Sequence, residues 1–289
     1  MPTAPTSRTA HRRYLKIDDS AAARFGLTGF ERTPDDAMTE LQCHSYLVLT
    51  MFALAGLTFV SLLRITAPYG RHLRPGWGPT VPARLGWAVM ESPAVIVFAA
   101  VYWLGVSAQS MAPLVLFGLW QFHYINRTCI FPLRLRDSGK RMPLAIVAMA
   151  LVFNCLNAYL NARWISELGD YPVAWLESWP FVLGASCFLV GWAINQHADT
   201  VLMRLRRPGE EGYKIPHGGL YRWVSCPNYF GEMLQWLGWA IATSSLAGAA
   251  FAVFTVANLL PRALAHHRWY RREFAAYPAG RRAVIPYLV

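Results

Sequence analysis

Residues 46–63 read YLVLTMFALAGLTFVSLL and contain no charged side chain. A helix needs about 20 apolar residues to cross the hydrocarbon core of a bilayer, and this run comes close to that length. Further uncharged runs occupy residues 142–162, 179–198 and 233–261. Because such runs recur along the chain, the sequence predicts an all-α integral membrane protein rather than a soluble one.

The composition supports the same fold class. Hydrophobic residues make up 55% of the chain and charged residues only 15%, which is unusual for a soluble domain. Residues 44–289 are expected to form one membrane domain, preceded by a polar extension of residues 1–43. We predict seven transmembrane helices, near residues 44–64, 85–106, 111–131, 142–162, 179–199, 226–244 and 248–265, with the last two separated by a break at residues 245–248.

Basic residues are concentrated in alternate loops. The first, third and fifth loops and the C-terminal tail are rich in arginine and lysine, whereas the second and sixth loops have neither. Loops of this kind usually face the cytoplasm, so the C-terminus is predicted to be cytoplasmic, although the basic residues of the N-terminal extension conflict with an outside location. The net charge of +11 then has an ordinary explanation, because basic loops of membrane proteins commonly face anionic lipid. Because lipid accounts for the positive charge, we do not predict a nucleic-acid partner. We also predict no metal site, since the five cysteines are not spaced like metal ligands.

Ionisable side chains within predicted spans are costly and are therefore candidates for function. Glu91 lies in the second span, two residues before Pro93, which removes a helical hydrogen bond and favours a kink. Tyr124 lies near the cytoplasmic end of the third span. If the two helices meet, a carboxylic acid and a phenol would share an apolar cavity and could both donate to a carbonyl oxygen. The alternatives are a glutamate that reaches the interface and a tyrosine of the aromatic belt.

The last third of the chain repeats polar side chains at helical spacings of four and three. These residues are Asn195 and Asp199, Asn228 and Glu232, and Arg262, His266 and Tyr270. Three arginines and several glycines stand between the fifth and sixth spans, a composition that suits a phosphate-rich ligand. The chain has no Gly-x-Gly-x-x-Gly motif and no phosphate-loop lysine, so a nucleotide site here would be of another kind.

This ordered pattern resembles the steroid 5α-reductase family of membrane-embedded reductases. The resemblance is densest in Asn195-x-His197-x-Asp199, Tyr213-Lys214-Ile215-Pro216, Asn228-Tyr229-Phe230-Gly231-Glu232 and His266-His267-Arg268-Trp269-Tyr270. It implies seven helices around a lipid-accessible cavity, closed by cytoplasmic loops over NADPH, and a catalytic role for Glu91 and Tyr124. Met90 departs from the glutamine that the family often has. The implied cofactor residues are Asn195, Asp199, Arg206, Tyr213, Lys214, Asn228, Glu232, Arg262, His266 and Tyr270, with Lys140 as a further phosphate contact.

The resemblance implies reduction of the Δ4 double bond of a 3-oxo-steroid by a monomer, in a bacterial inner membrane or the endoplasmic reticulum. Two alternatives stay open. A reductase of another enone or enoyl lipid, such as an enoyl thioester or a polyprenol precursor, would use the same cofactor half. A methyltransferase of the isoprenylcysteine type is disfavoured because three arginines, at positions 204, 206 and 207, suit a cofactor with several phosphates. A transporter or channel is also disfavoured, because the sequence shows neither the paired repeats nor the polar, pore-lining stripe that such a protein needs.

Overall fold

The structure, a computed structural model, describes residues 34–135, 139–205, 210 and 212–289, with side chains from residue 40 onward. This part of the chain is mostly helical, and each of its long helices overlaps one predicted span, so the helical prediction is confirmed. The long helices are α1 (Pro34–Arg64), α2 (Ala83–Trp103), α3 (Met111–Ile125), α4 (Leu144–Arg163), α5 (Trp179–Arg204), α6 (Pro227–Thr243) and α7 (Leu246–Glu273).

Within the described residues, four helices are long and apolar enough to cross a membrane: Glu40–Arg64, Ala83–Trp103, Leu144–Leu168 and Leu246–Glu273. Large apolar side chains such as Leu49, Leu57 and Val60 are exposed on the first of them, as expected for a surface that faces lipid. The α-helical parts of α3 and α6 contain only 15 and 17 residues. The passage of all seven helices through the bilayer therefore stays a prediction.

The break between α6 and α7 occurs where the sequence indicated. Ser244 adopts a left-handed backbone conformation with a φ of 43°, which ends α6. The next residue, Ser245, caps α7 because its Oγ accepts a hydrogen bond of 2.9 Å from the backbone of Gly248. A serine at this position satisfies an amide that the first helical turn leaves free. The long uncharged run thus becomes two antiparallel helices.

Pro93 lies within α2 and removes one hydrogen bond of the helix. The carbonyl that loses its helical donor is that of Val89. The hydroxyl of Ser92 donates to this carbonyl at 2.9 Å, so the loss is compensated locally. Glu91 therefore lies in a helix turn that is held together by its neighbours' side chains.

Two short strands connect the first and third loops. Strand β1 (Thr80–Pro82) pairs antiparallel with β2 (Arg141–Pro143), and Val81 lies opposite Met142. The pairing sits directly before α2 and α4, and so fixes where these two helices begin. The sequence prediction contained no strand, because three residues are too few to show an alternating pattern.

Helices α5 and α6 approach each other to the distance of backbone contact. Gly184 and Gly191 of α5 face Gly238 and Gly231 of α6, and a Cβ atom on any of these glycines would meet backbone atoms of the other helix. Small residues are the usual means by which membrane helices pack this closely. The C-terminal end of α5 consequently lies against the first turns of α6, where polar residues of both helices meet.

An aromatic core lies next to this helix pair. Trp120, Trp236 and Trp239 are almost completely buried. The ring centroid of Trp120 is 5.4 Å from that of Trp236 and 5.1 Å from that of Trp239. Phe98 stacks on Trp120 at 4.4 Å. These rings form a rigid apolar wall between α2, α3 and α6.

Candidate active site

A single arginine gathers three carboxylates from three helices. The guanidinium of Arg127 lies 3.8 Å from a carboxylate oxygen of Glu91 on α2, 3.8 Å from Asp199 on α5 and 3.9 Å from Glu232 on α6. All four side chains are largely buried. We refer to Glu91, Arg127, Asp199 and Glu232 as the charge cluster. It brings together three residues that the sequence analysis assigned to catalysis or to the cofactor.

A local irregularity carries Arg127. Helix α3 continues into a π-helical turn, Asn126–Ile130, and then into a last α-helical turn, Phe131–Arg134. Such turns are rare and often occur at functional sites. The guanidinium lies 4.6 Å from the ring centroids of both Trp87 and Phe131. Two aromatic faces and three carboxylates thus fix one cation in place.

Asparagine side chains join α5 to α6 at the edge of the charge cluster. The amide nitrogen of Asn195 donates to the backbone oxygen of Asn228 at 3.0 Å and to Glu232 at 3.4 Å. In return, the amide nitrogen of Asn228 donates to Asp199 at 3.0 Å. The four predicted residues of these two helices therefore form one connected polar group.

Glu91 and Tyr124 border the same site. The amide nitrogen of Asn154 on α4 donates to Glu91 at 3.3 Å and to the backbone oxygen of Met90 at 2.7 Å. Tyr124 is buried between the rings of Trp120 and Trp236, at centroid distances of 4.9 Å and 5.5 Å. Tyr124 and Arg127 are three residues apart on the continued helix α3, so Tyr124 lies about one turn from the cation that contacts Glu91. The convergence of this carboxylic acid and this phenol on one substrate oxygen stays a prediction.

A second cluster combines arginine with aromatic rings. Arg71, in the loop between α1 and α2, donates to the hydroxyl of Tyr270 at 3.1 Å. Its guanidinium lies 4.7 Å from the ring centroid of Trp269, 4.6 Å from that of Tyr270 and 5.3 Å from that of Tyr213. We refer to Arg71, Tyr213, Trp269 and Tyr270 as the arginine–aromatic cluster. Two of its members, Tyr213 and Tyr270, are predicted cofactor residues.

Histidines extend this cluster toward α6. His72 and His266 are within hydrogen-bond distance at 3.0 Å, and His266 also contacts the hydroxyl of Tyr229 at 3.1 Å. Burial, and then the positive charge of Arg71, lowers the pKa of His72 below its ordinary value. The neutral imidazole is therefore the stable form at pH 7. Each neutral imidazole has one donor and one acceptor nitrogen, so His72 and His266 can form a continuous series of hydrogen bonds from the loop to Tyr229.

Arg262 lies in an aromatic environment on α7. Its guanidinium is 4.0 Å from the ring centroid of Tyr69 and 5.6 Å from that of Tyr229. In the parts of the chain that the structure describes, it forms no ion pair. A partly buried cation with aromatic neighbours but no carboxylate is suited to an anionic ligand.

The remaining predicted cofactor residues lie further out. Lys214 is exposed and pairs with Glu210 at 2.5 Å, and Tyr213 is 39% exposed. Lys140 borders a surface cavity of about 570 Å³ together with Arg74 and Trp77. Arg206 lies outside the described residues. The structure thus brings most of the predicted set into two clusters but leaves Lys140 and Lys214 at the surface.

The C-terminal tail closes over the start of α6. The hydroxyl of Ser225 contacts His267 and Tyr277, both at 2.6 Å, and donates to the backbone oxygen of Arg282 at 3.1 Å. The ring of Tyr277 stacks on that of Tyr270, with centroids 5.2 Å apart. The tail thereby supports the residue that holds Arg71.

Sequence analysis did not assign roles to Arg127 or Arg71. Arg127 falls inside the predicted third span, so the same rule that selected Glu91, an ionisable residue within the membrane, would have selected it. Arg71 gives no comparable signal, because basic residues are common in cytoplasmic loops. Asn154 was also missed, since an asparagine in a span is less unusual than a charge.

Comparisons with known proteins identify the family of this chain. The family profile described as 3-oxo-5-alpha-steroid 4-dehydrogenase matches residues 140–289. The chain is 44% identical over 248 residues to the steroid 5-alpha-reductase DET2 of Gossypium hirsutum, which covers 84% of this chain and 96% of that protein. It is 39% identical over 263 residues to the 3-oxo-5-alpha-steroid 4-dehydrogenase 1 of Bos taurus, covering 90% and 98% respectively.

These similarities show that the chain is an oxidoreductase that acts on CH–CH groups. It belongs to the 3-oxo-5-alpha-steroid 4-dehydrogenase family. The resemblance stated from the motifs is therefore confirmed over most of the chain. The matched region begins at residue 140 and so contains all the predicted cofactor residues.

Proposed function

We propose that this chain uses NADPH to reduce the C4–C5 double bond of 3-oxo-steroids. Family membership supports the reaction class, and the names of the relatives support the substrate. The observation that carries the proposal is the charge cluster, in which three carboxylates share one guanidinium beside the buried phenol of Tyr124. This is the arrangement expected of groups that act on a ketone oxygen.

The cations of the second cluster support a cofactor that carries several phosphates. The Nη1 atom of Arg71 is buried and has no hydrogen-bond partner among the described residues, and Arg262 lacks an ion pair there. A buried positive charge without a counter-charge is costly, so both positions favour a bound anion. Arg71, Arg262 and Tyr270 would hold the phosphates of NADPH, with His266, Tyr213, Lys214, Lys140 and Arg206 as further contacts.

The amides and carboxylates between α5 and α6 suit the other end of the cofactor. Asn195, Asp199, Asn228 and Glu232 offer both donors and acceptors, which match a carboxamide and ribose hydroxyls. They also adjoin Glu91 through Arg127. A cofactor bound along this path would end beside the catalytic pair.

When bound, NADPH supplies a hydride for the far carbon of the conjugated enone, and a proton that comes from water adds to the carbon next to the ketone to complete the reduction. The residues of this chain act on the ketone oxygen, which gains negative charge as the double bond is reduced. Tyr124 and a protonated Glu91 donate to that oxygen, and each preorganised donor of this kind contributes about 3 kcal/mol. One cation cannot balance three negative charges, and neighbouring carboxylates repel each other. One of the three carboxyl groups is therefore expected to keep its proton. Asn154 keeps Glu91 in position.

Incubation of the purified protein with NADPH and progesterone tests the proposal. Mass spectrometry should detect a product heavier by two hydrogens. Glu91→Gln should lower kcat by about 100-fold, because an amide is a far weaker acid, while leaving the KM for NADPH nearly unchanged. The exposed Glu177 provides a matched control, since Glu177→Gln should not affect kcat. A wild-type rate for Glu91→Gln would refute the role of Glu91.

A thermal-shift measurement separates the cofactor classes. NADPH should raise the melting temperature, because a ligand that binds only the folded state stabilises it. S-adenosylmethionine should have no effect. Stabilisation by S-adenosylmethionine alone would support the methyltransferase interpretation. A panel of enone and enoyl lipids in the same activity assay would then identify the preferred substrate.

We also propose seven membrane crossings with a cytoplasmic C-terminus. The basic loops support this orientation, and the arginine–aromatic cluster would then lie on the cytoplasmic side, where NADPH is available. Leu288 is exposed and suits a cysteine probe in a variant without accessible native cysteines. The probe should react with an impermeant maleimide in inverted vesicles but not in right-side-out vesicles, and the reverse result would exclude the orientation.

A further inference from the structure

The continued helix α3 contacts α5 at a second point, beyond the charge cluster. Arg134 ends the short α-helical turn that follows the π-helical turn of Arg127. Its Nη1 atom donates to Oε1 of Gln196 at 3.1 Å, and its Nη2 atom donates to the hydroxyl oxygen of Thr200 at 2.7 Å. Gln196 and Thr200 are four residues apart and therefore lie on one face of α5. One guanidinium thus spans a full turn of the helix that carries Asp199.

Gln196 connects this guanidinium to the candidate cofactor site. Its Nε2 atom donates to Oδ1 of Asn195 at 3.4 Å. As described above, Nδ2 of Asn195 donates to the backbone oxygen of Asn228 at 3.0 Å and to Glu232 at 3.4 Å. Asn195 is almost fully buried, where a polar group without a partner is costly. We refer to Arg134, Gln196, Asn195 and Glu232 as the amide network.

The chemistry of its two ends fixes the direction of the amide network. A side-chain amide can otherwise be turned end for end, but a guanidinium only donates, and a backbone carbonyl or an ionised carboxylate only accepts. Gln196 must therefore present its oxygen to Arg134 and its nitrogen to Asn195. Asn195 must in turn present its oxygen to Gln196 and its nitrogen to α6. Reversing either amide would place a donor opposite a donor.

The consequence for the cofactor site is a single orientation of the Asn195 amide. Its donors are directed at α6, where they support Glu232 beside Arg127. A positive charge at the start of such a series strengthens the later hydrogen bonds, because the amides polarise one another. We propose that Arg134 and Gln196 are positioning residues, which hold Asn195, and through it Glu232, in the geometry that binds the nicotinamide end of NADPH. This inference rests on the proposed function.

Replacing Gln196 tests the amide network. Gln196→Leu has a similar size but cannot donate to Asn195, so Glu232 loses part of its support. The KM for NADPH should rise about fivefold, as expected for the loss of one hydrogen bond, whereas kcat should change little. Arg134→Met should raise this KM to a similar extent. Arg134→Lys still carries a donor and should recover part of the loss.

Thr200→Val is the matched control. This variant keeps the shape of the side chain and removes the second partner of Arg134, but it leaves the amide network intact. It should keep the wild-type KM for NADPH. If Arg134 served only to join α3 to α5, Thr200→Val and Gln196→Leu would instead have equal effects on both the KM and the melting temperature.

A double-mutant cycle shows whether Gln196 acts through Asn195. In an Asn195→Ala background, Gln196→Leu should raise the KM for NADPH no further, since the amide that it positions is already gone. A rise as large as in the wild-type background would overturn the positioning role.

The outcomes separate this inference from the proposed function. A wild-type KM for NADPH in Gln196→Leu, or equal effects of Gln196→Leu and Thr200→Val, would overturn the positioning role while wild-type activity stands. If Gln196→Leu does not fold, the comparison of Arg134→Met with Thr200→Val decides alone. A wild-type protein that reduces no enone with NADPH would overturn the proposed function and this inference with it.

Discussion

Replacing Gly231 with alanine tests whether the backbone contact between α5 and α6 holds the active site together. A Cβ atom at this position would lie 2.6 Å from the backbone nitrogen of Asn195 and from the backbone oxygen of Gly191. Ordinary contacts begin near 3.4 Å, so the helices must separate locally by 3.4 − 2.6 = 0.8 Å. Neither neighbour can yield by rotating, because both atoms belong to a helix backbone.

The separation would break the polar connection beside the glycines. The hydrogen bond from Asn195 to the backbone of Asn228 would lengthen from 3.0 Å to about 3.8 Å, beyond useful range. Overpacking of this kind costs about 1–3 kcal/mol, which corresponds to a melting temperature lower by about 5 °C. The lost hydrogen bond should raise the KM for NADPH by about tenfold.

Thermal denaturation in detergent and steady-state kinetics measure both effects of Gly231→Ala. Gly118→Ala on α3 is the control, because a Cβ atom there meets nothing within 4 Å. Alanine is the better helix former, so this control should be neutral or slightly stabilising. If Gly231→Ala melted and bound NADPH like the wild type, the backbone contact would not be what positions the site.

Three further predictions concern charged and titratable groups. Arg127→Met should lower the free energy of unfolding by about 3–5 kcal/mol, because it leaves buried carboxylates without their cation. Adding Asp199→Asn should recover part of this loss in thermal denaturation, and no recovery would contradict the model of shared charge. Arg71→Ala should reduce the thermal stabilisation by NADPH, whereas exposed Arg64→Ala should not; equal shifts would exclude Arg71 from the cofactor site. Because the pKa of His72 lies below its ordinary value, the unfolded chain takes up the proton first as the pH falls below about 6.5. Stability should therefore fall between pH 7 and pH 5 more steeply in the wild type than in His72→Asn, and parallel curves would refute this.

Much of the fold follows from patterns that are local in sequence. The uncharged runs predict where the helices lie, and a pair of serines marks the break between α6 and α7. The pairing of β1 with β2 could not be predicted, because it joins two three-residue segments from different loops. The contact between α5 and α6 could be predicted only in part, because the sequence shows its glycines but not which glycine faces which.

The candidate active site could likewise be predicted only in part from the sequence. Motifs of the family identified Asn195, Asn228 and Glu232, and the structure connects them. Arg127 stands within a predicted span, yet its role depends on a π-helical turn and on carboxylates from three other helices. No spacing along the chain indicates that convergence. Lys214 is the opposite case: the family motif identifies it, but in the structure its ammonium group is paired with the nearby Glu210.

The position of the C-terminal tail has a consequence for the order in which the protein matures. Tyr277 is made after all seven long helices, yet it contacts Ser225 and stacks on Tyr270. Helices that precede them can enter the membrane while the ribosome is still working, as earlier segments of a chain generally fold first. The arginine–aromatic cluster, by contrast, lacks its support until Tyr277 has left the ribosome. A newly made chain should therefore be membrane-inserted before its arginine–aromatic cluster is complete.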